Sequence, residues 1–360
     1  MKKIIHICQS AIGGTVEYID LLVSNLDKNE YENIVICPSY GNLKSRMDKR
    51  NIKTYVVEME REISPLKDIK DTLIIRKILK KEKPDTVYLH SSKAGALGRL
   101  ASIFLKNKVL YNSHGWAFNM ECSEKKKRFY ALIEKVLLPL TDIIINISED
   151  EYQSAINYGL NPQKMIVIEN GIDIEKYKEN TKVKFLDKFV IGFVGRLSKQ
   201  KNPMFMIDIC EELIKNGEDN FLFYIVGDGE LRKEFQEKIK SKNIEKYFYL
   251  KGWSEKVEEE IRNFDVALMI SKWEGFGLVV CEYMAARKPI ITVAVGGVKN
   301  ILNEENSFYI NGYLKGEFVK KIIEVKCNDK KVKNKIEKAY KHVKEKFDIG
   351  KMIKKLETIF

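Results

Sequence analysis

The sequence predicts an α/β fold in two domains, each with a parallel β-sheet covered by helices on both faces. Short apolar runs typical of buried strands alternate with amphipathic stretches of helical period. The chain has 360 residues. That length exceeds one ordinary hydrophobic core and fits two domains of roughly 150 to 200 residues. Glycine-rich turns follow several of the strands, as they do where open parallel sheets bind ligands.

The first half of the chain begins with a predicted strand at residues 3–8. Its apolar run is too short for a signal sequence and leads directly into a Gly-Gly turn. The other strands predicted here are residues 33–37, 53–57, 86–89, 109–112, 142–146 and 164–168. The clearest helices between them are predicted at residues 16–26, 66–81 and 93–105.

The second half repeats the alternation. Its predicted strands are residues 189–194, 221–226, 248–251, 266–270, 289–292 and 307–310. A charged stretch near residues 176–188 separates the last strand of the first half from the first strand of the second. We therefore expect an N-terminal domain at residues 1–180 and a C-terminal domain at residues 181–345.

The most informative segment is Glu274-Gly-Phe-Gly-Leu-Val-Val-Cys-Glu282. Its apolar end predicts the first turns of a buried helix, whose N-terminus offers unpaired N–H groups and a partial positive charge. The turn at Phe276, Gly277 and Leu278 is therefore suited to bind a phosphate. Glu274 and Glu282 are placed to accept hydrogen bonds from hydroxyl groups on either side of it. The segment predicts a site for a phosphorylated sugar.

Two basic residues are predicted at a similar edge of the same domain. Arg196 and Lys201 lie on the loop between a buried strand and an amphipathic helix that begins near residue 204. Such a loop is at the carboxyl edge of the sheet, where open α/β folds bind ligands. Both side chains can neutralise a pyrophosphate there.

Together these motifs resemble family 4 of the retaining glycosyltransferases, of the bacterial capsule, exopolysaccharide and lipopolysaccharide type. These enzymes have the GT-B architecture of two facing Rossmann-like domains. The donor-site match consists of Gly195-Arg196 with Lys201, the Glu274 and Glu282 pair, and Gly296-Gly297. Further matches in the family's order are Gly13-Gly14, His114, Asn170-Gly171-Ile172-Asp173 and Gly227-Asp228-Gly229-Glu230. The resemblance implies that residues 346–360 form a helix that packs back on the N-terminal domain.

In the N-terminal domain the resemblance implies that Gly13 and Gly14 face the donor phosphates across the cleft. No third glycine completes a Gly-x-Gly-x-x-Gly spacing, so a nicotinamide or flavin dinucleotide is disfavoured. His114 matches the family's histidine that contacts the transferred sugar. His90 and Lys93, at the end of another strand, are predicted to line the acceptor site.

The resemblance implies a donor site mainly in the C-terminal domain. Asp228 follows a strand on a glycine-rich turn and is predicted either to contact the nucleotide base or only to form the turn. The predicted donor-binding residues are Gly13, Gly14, Arg196, Lys201, Asp228, Trp253, Glu274, Phe276, Gly277, Leu278 and Glu282. The predicted catalytic residues are His114, Glu274, Arg196 and Lys201.

The implied reaction is transfer of a hexosyl group from a nucleotide-sugar, UDP-linked by family frequency, to a hydroxyl of a lipid-linked saccharide with the anomeric configuration retained. No cofactor is expected besides this substrate. No metal site is expected either, because the chain has no Asp-x-Asp motif and its basic residues can offset the phosphate charge. A nucleotide-sugar epimerase of the same architecture and a non-catalytic sugar-nucleotide-binding module are the alternatives.

Charge and cysteine content bear on partners and location. The net charge is +12, with no RNA or DNA motif behind it, so nucleic-acid binding is not predicted. Residues 315–360 carry 15 Lys and Arg against 7 Asp and Glu, and Lys125-Lys-Lys-Arg128 precedes the apolar residues of an amphipathic stretch. This pattern predicts weak attachment to an anionic membrane. The six cysteines form no Cys-x-x-Cys pair and the four histidines are scattered along the sequence, which favours a cytoplasmic protein without zinc. With the charge pattern, this predicts a protein that is peripheral at the inner face of the plasma membrane.

Overall fold

The chain divides into two units, each with its own sheet. The computed structural model describes residues 1–60, 62–179, 181–183, 185, 187–293 and 295–360. Unit 1 consists of Met1–Gly171 together with Ile349–Phe360, and unit 2 of Ile172–Asp348. The border predicted at residues 180 and 181 includes Asn180, which lies outside the described residues.

The described part of unit 1 contains a parallel sheet of seven strands. The strands are β1 (Lys2–Cys8), β2 (Tyr31–Cys37), β3 (Lys53–Val56), β4 (Thr86–His90), β5 (Lys108–Asn112), β6 (Ile143–Asn146) and β7 (Met165–Val167), in the spatial order β3-β2-β1-β4-β5-β6-β7. The helices between them are α1 (Gly14–Asn25), α2 (Leu43–Lys49), α3 (Pro65–Glu82), α4 (Ser92–Ala101), α5 (Glu124–Leu137) and α6 (Glu149–Asn157).

Unit 2 has a parallel sheet with six strands among its described residues. They are β8 (Phe189–Val194), β9 (Phe221–Val226), β10 (Phe248–Gly252), β11 (Val266–Met269), β12 (Ile290–Val293) and β13 (Phe308–Ile310), in the order β10-β9-β8-β11-β12-β13. Its helices are α7 (Phe205–Lys215), α8 (Arg232–Ser241), α9 (Val257–Ile261), α10 (Leu278–Ala285), α11 (Lys315–Cys327) and α12 (Asp329–Lys346). None of the described helices of the chain is both long and apolar enough to cross a membrane.

The central strands form because their side chains are apolar on both faces. Every residue of β9 is buried, and β4 is buried along its whole length. Helices cover both faces of such a sheet, so its strands appear in sequence as nearly continuous apolar runs instead of alternating ones. This explains why the short apolar runs of the sequence predict these strands well.

Both sheets reverse their direction of winding once. In unit 1 the reversal lies between the adjacent strands β1 and β4, and in unit 2 between β8 and β11. Right-handed crossovers place the connections on opposite faces of the sheet to either side of such a point, so the loops after the two strands diverge and leave a crevice. Each unit therefore has one edge position where a ligand site is expected.

The last helix, α13 (Ile349–Glu357), belongs to unit 1. Its buried residues Met352, Ile353 and Leu356 join the core that α1 covers. The sulfur of Met352 accepts a hydrogen bond of 3.2 Å from the backbone N–H of Gly171. Lys108 donates to the carbonyl of Ile359 over 2.7 Å, so the segment is held by polar as well as apolar contacts.

Because Leu356 is fully buried, we expect Leu356→Ala to destabilise unit 1 by about 2–5 kcal/mol, the cost of lost burial plus the cavity left behind. Urea unfolding followed by the fluorescence of Trp116 measures this, in a background where Trp253 and Trp273 are phenylalanine so that only unit 1 reports. The matched control is the exposed neighbour Lys354→Ala, expected to change stability by less than about 0.5 kcal/mol. Equal effects of the two substitutions would contradict the packing described.

Candidate active site

The strongest polar contact at the reversal point of unit 2 is an ion pair between the loops that follow β8 and β11. The Nζ of Lys201 lies 2.5 Å from a carboxylate oxygen of Glu274. Glu274 is only 9% exposed, so its negative charge is held away from bulk water and depends on this lysine. Two residues chosen from separate sequence motifs are therefore in direct contact.

Backbone hydrogen bonds join the same two loops. The amide of Lys272 donates to the carbonyl of Gln200 over 2.8 Å, and the side-chain amide of Gln200 donates to the carbonyl of Trp273 over 3.0 Å. The residues directly before Lys201 and Glu274 thus tie the two loops to each other beside the ion pair. A rigid pair of loops is what a binding site needs to hold charged groups in position.

Arg196 precedes Lys201 on the loop after β8 and is exposed. Its guanidinium makes no ion pair with any residue that the structure describes. Lys201 uses one of its three N–H donors on Glu274 and keeps two. The loop therefore has cationic donors available for an anionic ligand.

The start of α10 lies directly after Glu274. Gly277 caps this helix with a φ of +88°, a left-handed conformation that favours glycine. Phe276 is buried and its ring packs against Phe347 at a centroid distance of 5.5 Å, while Leu278 and Glu282 are partly exposed in the first turns. The amide of Val280 donates to the carbonyl of Gly277 over 2.8 Å. The amides of Leu278 and Val279 precede the first helical hydrogen bond, so they can donate to an anion.

Gly296, from the predicted Gly296-Gly297 match, packs against the same loop. A Cβ at Gly296 would lie 2.0 Å from the carbonyl oxygen of Glu274, so no larger side chain fits. The amide of Gly297 donates to that carbonyl over 3.1 Å. The glycine pair therefore supports the backbone of Glu274 through close contact.

Asp228 and Trp253 follow β9 and β10. The carboxylate of Asp228 accepts from the amide of Gly229 over 2.8 Å and pairs with Arg232 at 3.1 Å. These contacts hold the turn, and contact with a nucleotide base stays a prediction. Trp253 is 52% exposed, which leaves its ring accessible.

In unit 1, His114 lies on a tightly held loop after β5. It has a φ of +54°, in the left-handed region that few residues other than glycine adopt. Its amide donates to Oδ1 of Asn112 over 2.8 Å. Two residues on, the amide of Trp116 donates to the buried carboxylate of Glu151 over 2.8 Å. A strained residue fixed on both sides is typical of a functional position.

Three of the four histidines form one chain of hydrogen bonds in unit 1, although they lie far apart in the sequence. Nδ1 of His6 lies 3.2 Å from Nε2 of His90, and Nδ1 of His90 lies 3.0 Å from Nε2 of His114. The far end of the chain is Asn33, whose Oδ1 is 3.0 Å from Nε2 of His6. The order of the strands in the sheet brings these histidines together, because β1 pairs with β4 and β4 with β5.

Burial keeps these imidazoles neutral. It lowers the pKa of His6 to about 4 and that of His114 to about 3, and it lowers the pKa of His90 well below its usual value. The charged form is disfavoured because imidazolium loses its hydration when the ring is buried. At neutral pH each ring therefore has one nitrogen that donates and one that accepts.

The remaining predicted residues of unit 1 occupy the same edge of the sheet. His90 is fully buried between the other two imidazoles. Lys93 is tied to Asp68 at 2.5 Å and to the carbonyl of Glu62 at 2.6 Å. Gly13, with a φ of +84°, and Gly14 start α1 directly after β1. Contact of these residues with donor or acceptor stays a prediction.

Sequence reasoning missed His6 and Asn33 as members of this edge. His6 interrupts an apolar strand, Lys2–Cys8, which is an unusual place for an ionisable side chain and was the available signal. Asn33 carries no comparable signal, because an asparagine near the start of a strand is common. Both are found only once the neighbouring strands are known.

Comparison with known proteins identifies the family of the chain. The family model described as Glycosyltransferase Family 4 matches residues 12–176, and the one described as Glycosyl transferases group 1 matches residues 174–342. An Escherichia coli protein named UDP-Gal:alpha-D-GlcNAc-diphosphoundecaprenol alpha-1,3-galactosyltransferase is 30% identical over 374 residues, covering 99% of this chain and 96% of its own. The Staphylococcus aureus capsular polysaccharide biosynthesis glycosyltransferase CapM is 28% identical, with 87% of each chain covered.

The fold has close counterparts as well. The crystal structure of Anabaena HepE in complex with UDP and glucose superposes with a TM-score of 0.86 at 19% identity, covering 100% of this chain and 99% of that one. The architecture is GT-B, with two Rossmann-like domains that each contain a parallel sheet. The chain belongs to glycosyltransferase family 4, together with bacterial capsule and O-antigen enzymes, and it is a glycosyltransferase.

We expect Lys201→Met to weaken binding of a nucleoside diphosphate at least tenfold, because a charge-assisted hydrogen bond contributes roughly 1.5–3 kcal/mol. Calorimetric titration with UDP measures the affinity. Lys199→Met is the matched control: it removes the same charge from the same loop, but Lys199 is exposed and away from Glu274.

The substitution at Lys201 also leaves Glu274 buried without its partner, so stability is measured in parallel. The double variant Lys201→Met with Glu274→Gln removes that unpaired charge and is expected to recover thermal stability without recovering affinity. Recovery of affinity in the double variant, or equal losses in the Lys199 control, would contradict a direct role of Lys201 in binding phosphate.

Proposed function

We propose that this glycosyltransferase moves a hexosyl group from a UDP-sugar to a hydroxyl of a polyprenyl-diphosphate-linked saccharide, with retention of the anomeric configuration, in the assembly of a surface polysaccharide. The observation that carries the proposal is the Lys201–Glu274 pair beside the start of α10. Support for the substrates comes from the E. coli relative, whose name specifies UDP-Gal and a diphosphoundecaprenol-linked acceptor, and from HepE, whose structure contains UDP.

In this proposal the residues of unit 2 stabilise the leaving group. The bond between the anomeric carbon and the diphosphate oxygen breaks, and negative charge grows on the departing phosphate. Lys201, Arg196 and the amides of Leu278 and Val279 at the start of α10 offset that charge. Glu274 orients Lys201 and accepts from a sugar hydroxyl. The acceptor oxygen forms the new bond, and its proton passes to the departing phosphate on the same face.

Metal independence belongs to the same proposal. A divalent cation commonly neutralises a leaving diphosphate, and here two cationic side chains and a helix terminus supply that charge. No group of three or more His, Cys, Asp and Glu residues that could hold a metal ion occurs among the described residues. The epimerase alternative has no observation in its favour, whereas the reported relatives are named as transferases.

A transfer assay tests the proposal. The protein is incubated with a panel of UDP-, GDP- and ADP-sugars and a synthetic polyprenyl-diphosphate-linked N-acetylhexosamine, in buffer containing EDTA. We expect one UDP-sugar to be consumed with formation of a lipid-linked disaccharide whose anomeric configuration, read from the proton coupling constant, matches that of the donor. Inversion of the anomeric configuration would refute the retaining mechanism. Activity that needs added manganese or magnesium would refute metal independence.

A parallel incubation without acceptor separates the alternatives. An epimerase would interconvert two UDP-sugars under these conditions, whereas a transferase leaves the sugar nucleotide unchanged or hydrolyses it slowly. The Lys201→Met variant serves as the negative control for donor use.

We also propose that α5 attaches the protein to an anionic membrane surface. Phe129, Leu132 and Val136 are 51%, 57% and 67% exposed, and their spacing of three and four residues places them in one stripe of the helix. The basic residues Lys126 and Arg128 are exposed on either side of the stripe. Apolar residues enter the headgroup region while flanking cations bind anionic lipids.

Buried contacts fix which face of α5 points outward. On its inner face, Glu134 pairs with Arg99 at 2.8 Å and accepts from the hydroxyl of Tyr111 over 3.0 Å. The guanidinium of Arg99 also stacks over the ring of Tyr111 at 4.3 Å. A buried ion pair of this kind tolerates no rotation of the helix, because either partner alone would be an unpaired buried charge.

We expect the protein to sediment with vesicles of 30% phosphatidylglycerol at low salt and to be released at high salt. Each exposed lysine or arginine near an anionic surface contributes about 1 kcal/mol, so reversing Lys125, Lys126 and Arg128 to glutamate should abolish sedimentation. The matched control reverses Lys330, Lys333 and Lys344 on α12, which are also exposed but lie on a helix whose apolar residues are buried or partly buried. If the α12 control loses binding and the α5 variant retains it, the lysine-rich C-terminal segment is the attachment site instead.

A further inference from the structure

The geometry points to a role for His6, His90 and Asn33 that the reaction scheme above does not use. We propose that they are positioning residues, which fix the tautomer of His114 so that its Nδ1 is an unprotonated acceptor for a hydroxyl group of the substrate. The fixed tautomer rests only on the hydrogen-bond chain in unit 1. The assignment of the incoming group as a sugar hydroxyl rests on the proposed function.

The donor and acceptor roles along the hydrogen-bond chain follow from Asn33 at its far end. The side-chain oxygen of Asn33 can only accept, so Nε2 of His6 must carry the proton that joins them. A neutral imidazole has one N–H, so Nδ1 of His6 accepts from Nε2 of His90. By the same step, Nδ1 of His90 accepts from Nε2 of His114. One amide oxygen therefore sets the tautomers of three rings in sequence.

At the near end, Nε2 of His114 is occupied as a donor and Nδ1 keeps its lone pair. Nδ1 makes no hydrogen bond with the residues that the structure describes, and His114 is the partly exposed member of the chain. Only a hydrogen-bond donor is complementary to this nitrogen. A hydroxyl fits, whereas a carboxylate or a ring oxygen at the same place would meet a second lone pair.

The tyrosine rings packed against the three histidines are uncharged and leave this order unchanged. Tyr18 from α1 packs its ring against His114 at 4.7 Å, and its hydroxyl shares a hydrogen bond of 2.6 Å with Tyr88 from β4. Burial raises the pKa of both phenols, so they are neutral. The amide of His114 also donates to Oδ1 of Asn112, a neutral side chain.

The hydrogen-bond chain from Asn33 to His114 fixes where the ring protons lie and does not transfer a proton. An amide oxygen is far too weak a base to take a proton from His6, so Asn33 cannot serve as a proton sink. An aspartate in that place could. The amide therefore distinguishes this arrangement from a triad in which a carboxylate stabilises an imidazolium. The chain positions His114 as a neutral hydrogen-bond acceptor.

Nitrogen-15 NMR of the full-length protein, with labelled histidine and no ligand, reads the tautomers directly. Protonated and bare ring nitrogens have widely separated shifts, and His6→Asn, His90→Gln and His114→Gln variants assign the signals. We expect Nε2 protonated and Nδ1 bare in all three rings at pH 7. A protonated Nδ1 in His114 of the wild-type protein would overturn the proposal, and no active enzyme is needed to see it.

Variants of Asn33, a partly exposed residue on β2, then connect the tautomer to the reaction. Asn33→Leu removes the acceptor that sets the direction, whereas Asn33→Asp keeps an acceptor at the same place. We expect Asn33→Leu to lower kcat about tenfold, the value of one hydrogen bond, with the affinity for UDP unchanged. Asn33→Asp should restore most of the turnover and the wild-type tautomer of His114. The exposed Asn29→Leu, in the same unit, is the control for the substitution itself and should leave kcat unchanged.

A donor analogue with fluorine in place of one hydroxyl at a time completes the test. Fluorine cannot donate, so one position should lose about tenfold in kcat with the wild-type protein and lose nothing further in His114→Ala. Equal loss in both proteins overturns the contact between His114 and the sugar while the NMR result stands. If Asn33→Leu lowers kcat and shifts no histidine signal, the positioning role is overturned even though the enzyme is a glycosyltransferase.

Discussion

The reversal of winding direction in each sheet is the constraint on which the rest of the structure depends. All pairings between the described strands are parallel, so every strand must be followed by a crossover, and the carboxyl ends of all strands lie at one edge. Only where the crossovers change face do two neighbouring loops separate. In unit 2 this is the place of Lys201 and Glu274, and in unit 1 it lies between the loops after β1 and β4.

The two edges solve the burial of polar groups in different ways. Unit 2 keeps a charged pair and balances a nearly buried carboxylate with a lysine. Unit 1 keeps a series of neutral rings in which each donor faces an acceptor. A charged pair can respond strongly to an incoming phosphate, since electrostatic energy changes when a second anion arrives. A hydrogen-bond chain of neutral rings responds little to an incoming charge. It mainly determines which ring nitrogens donate and which accept. The difference suits a division between anion binding in one unit and hydroxyl recognition in the other.

Much of the fold could be predicted from the sequence, because strands buried on both faces are nearly continuous apolar runs. The predicted strands at residues 189–194 and 221–226 have the observed bounds of β8 and β9. The sequence predicts that Lys201 and Glu274 both lie at the carboxyl edge of the sheet in the C-terminal domain. Their direct contact could not be predicted, because it depends on the adjacency of β8 and β11, which are separated by β9 and β10 in sequence.

The histidine chain also depends on a spatial order of strands that the sequence does not reveal. His6, His90 and His114 come from β1, β4 and the loop after β5, and only the strand order makes them neighbours. In the register of β1 with β4, Cys8 lies opposite His90, so His6 is the diagonal neighbour on the same face of the sheet. The spacing of residues along a sequence carries no information about such a diagonal contact between two neighbouring strands. Fold recognition can supply it, but residue patterns within one strand cannot.

The path of the chain also has a consequence for its biosynthesis. Unit 1 is interrupted in sequence by the whole of unit 2, and its core is completed by Met352, Ile353 and Leu356 from α13. Domains usually fold as they leave the ribosome, N-terminal first. Unit 2 can complete its sheet as soon as it has emerged, whereas unit 1 must wait with part of its apolar surface uncovered until residues 349–360 are made. The segment synthesised first is thus the one whose core is completed last.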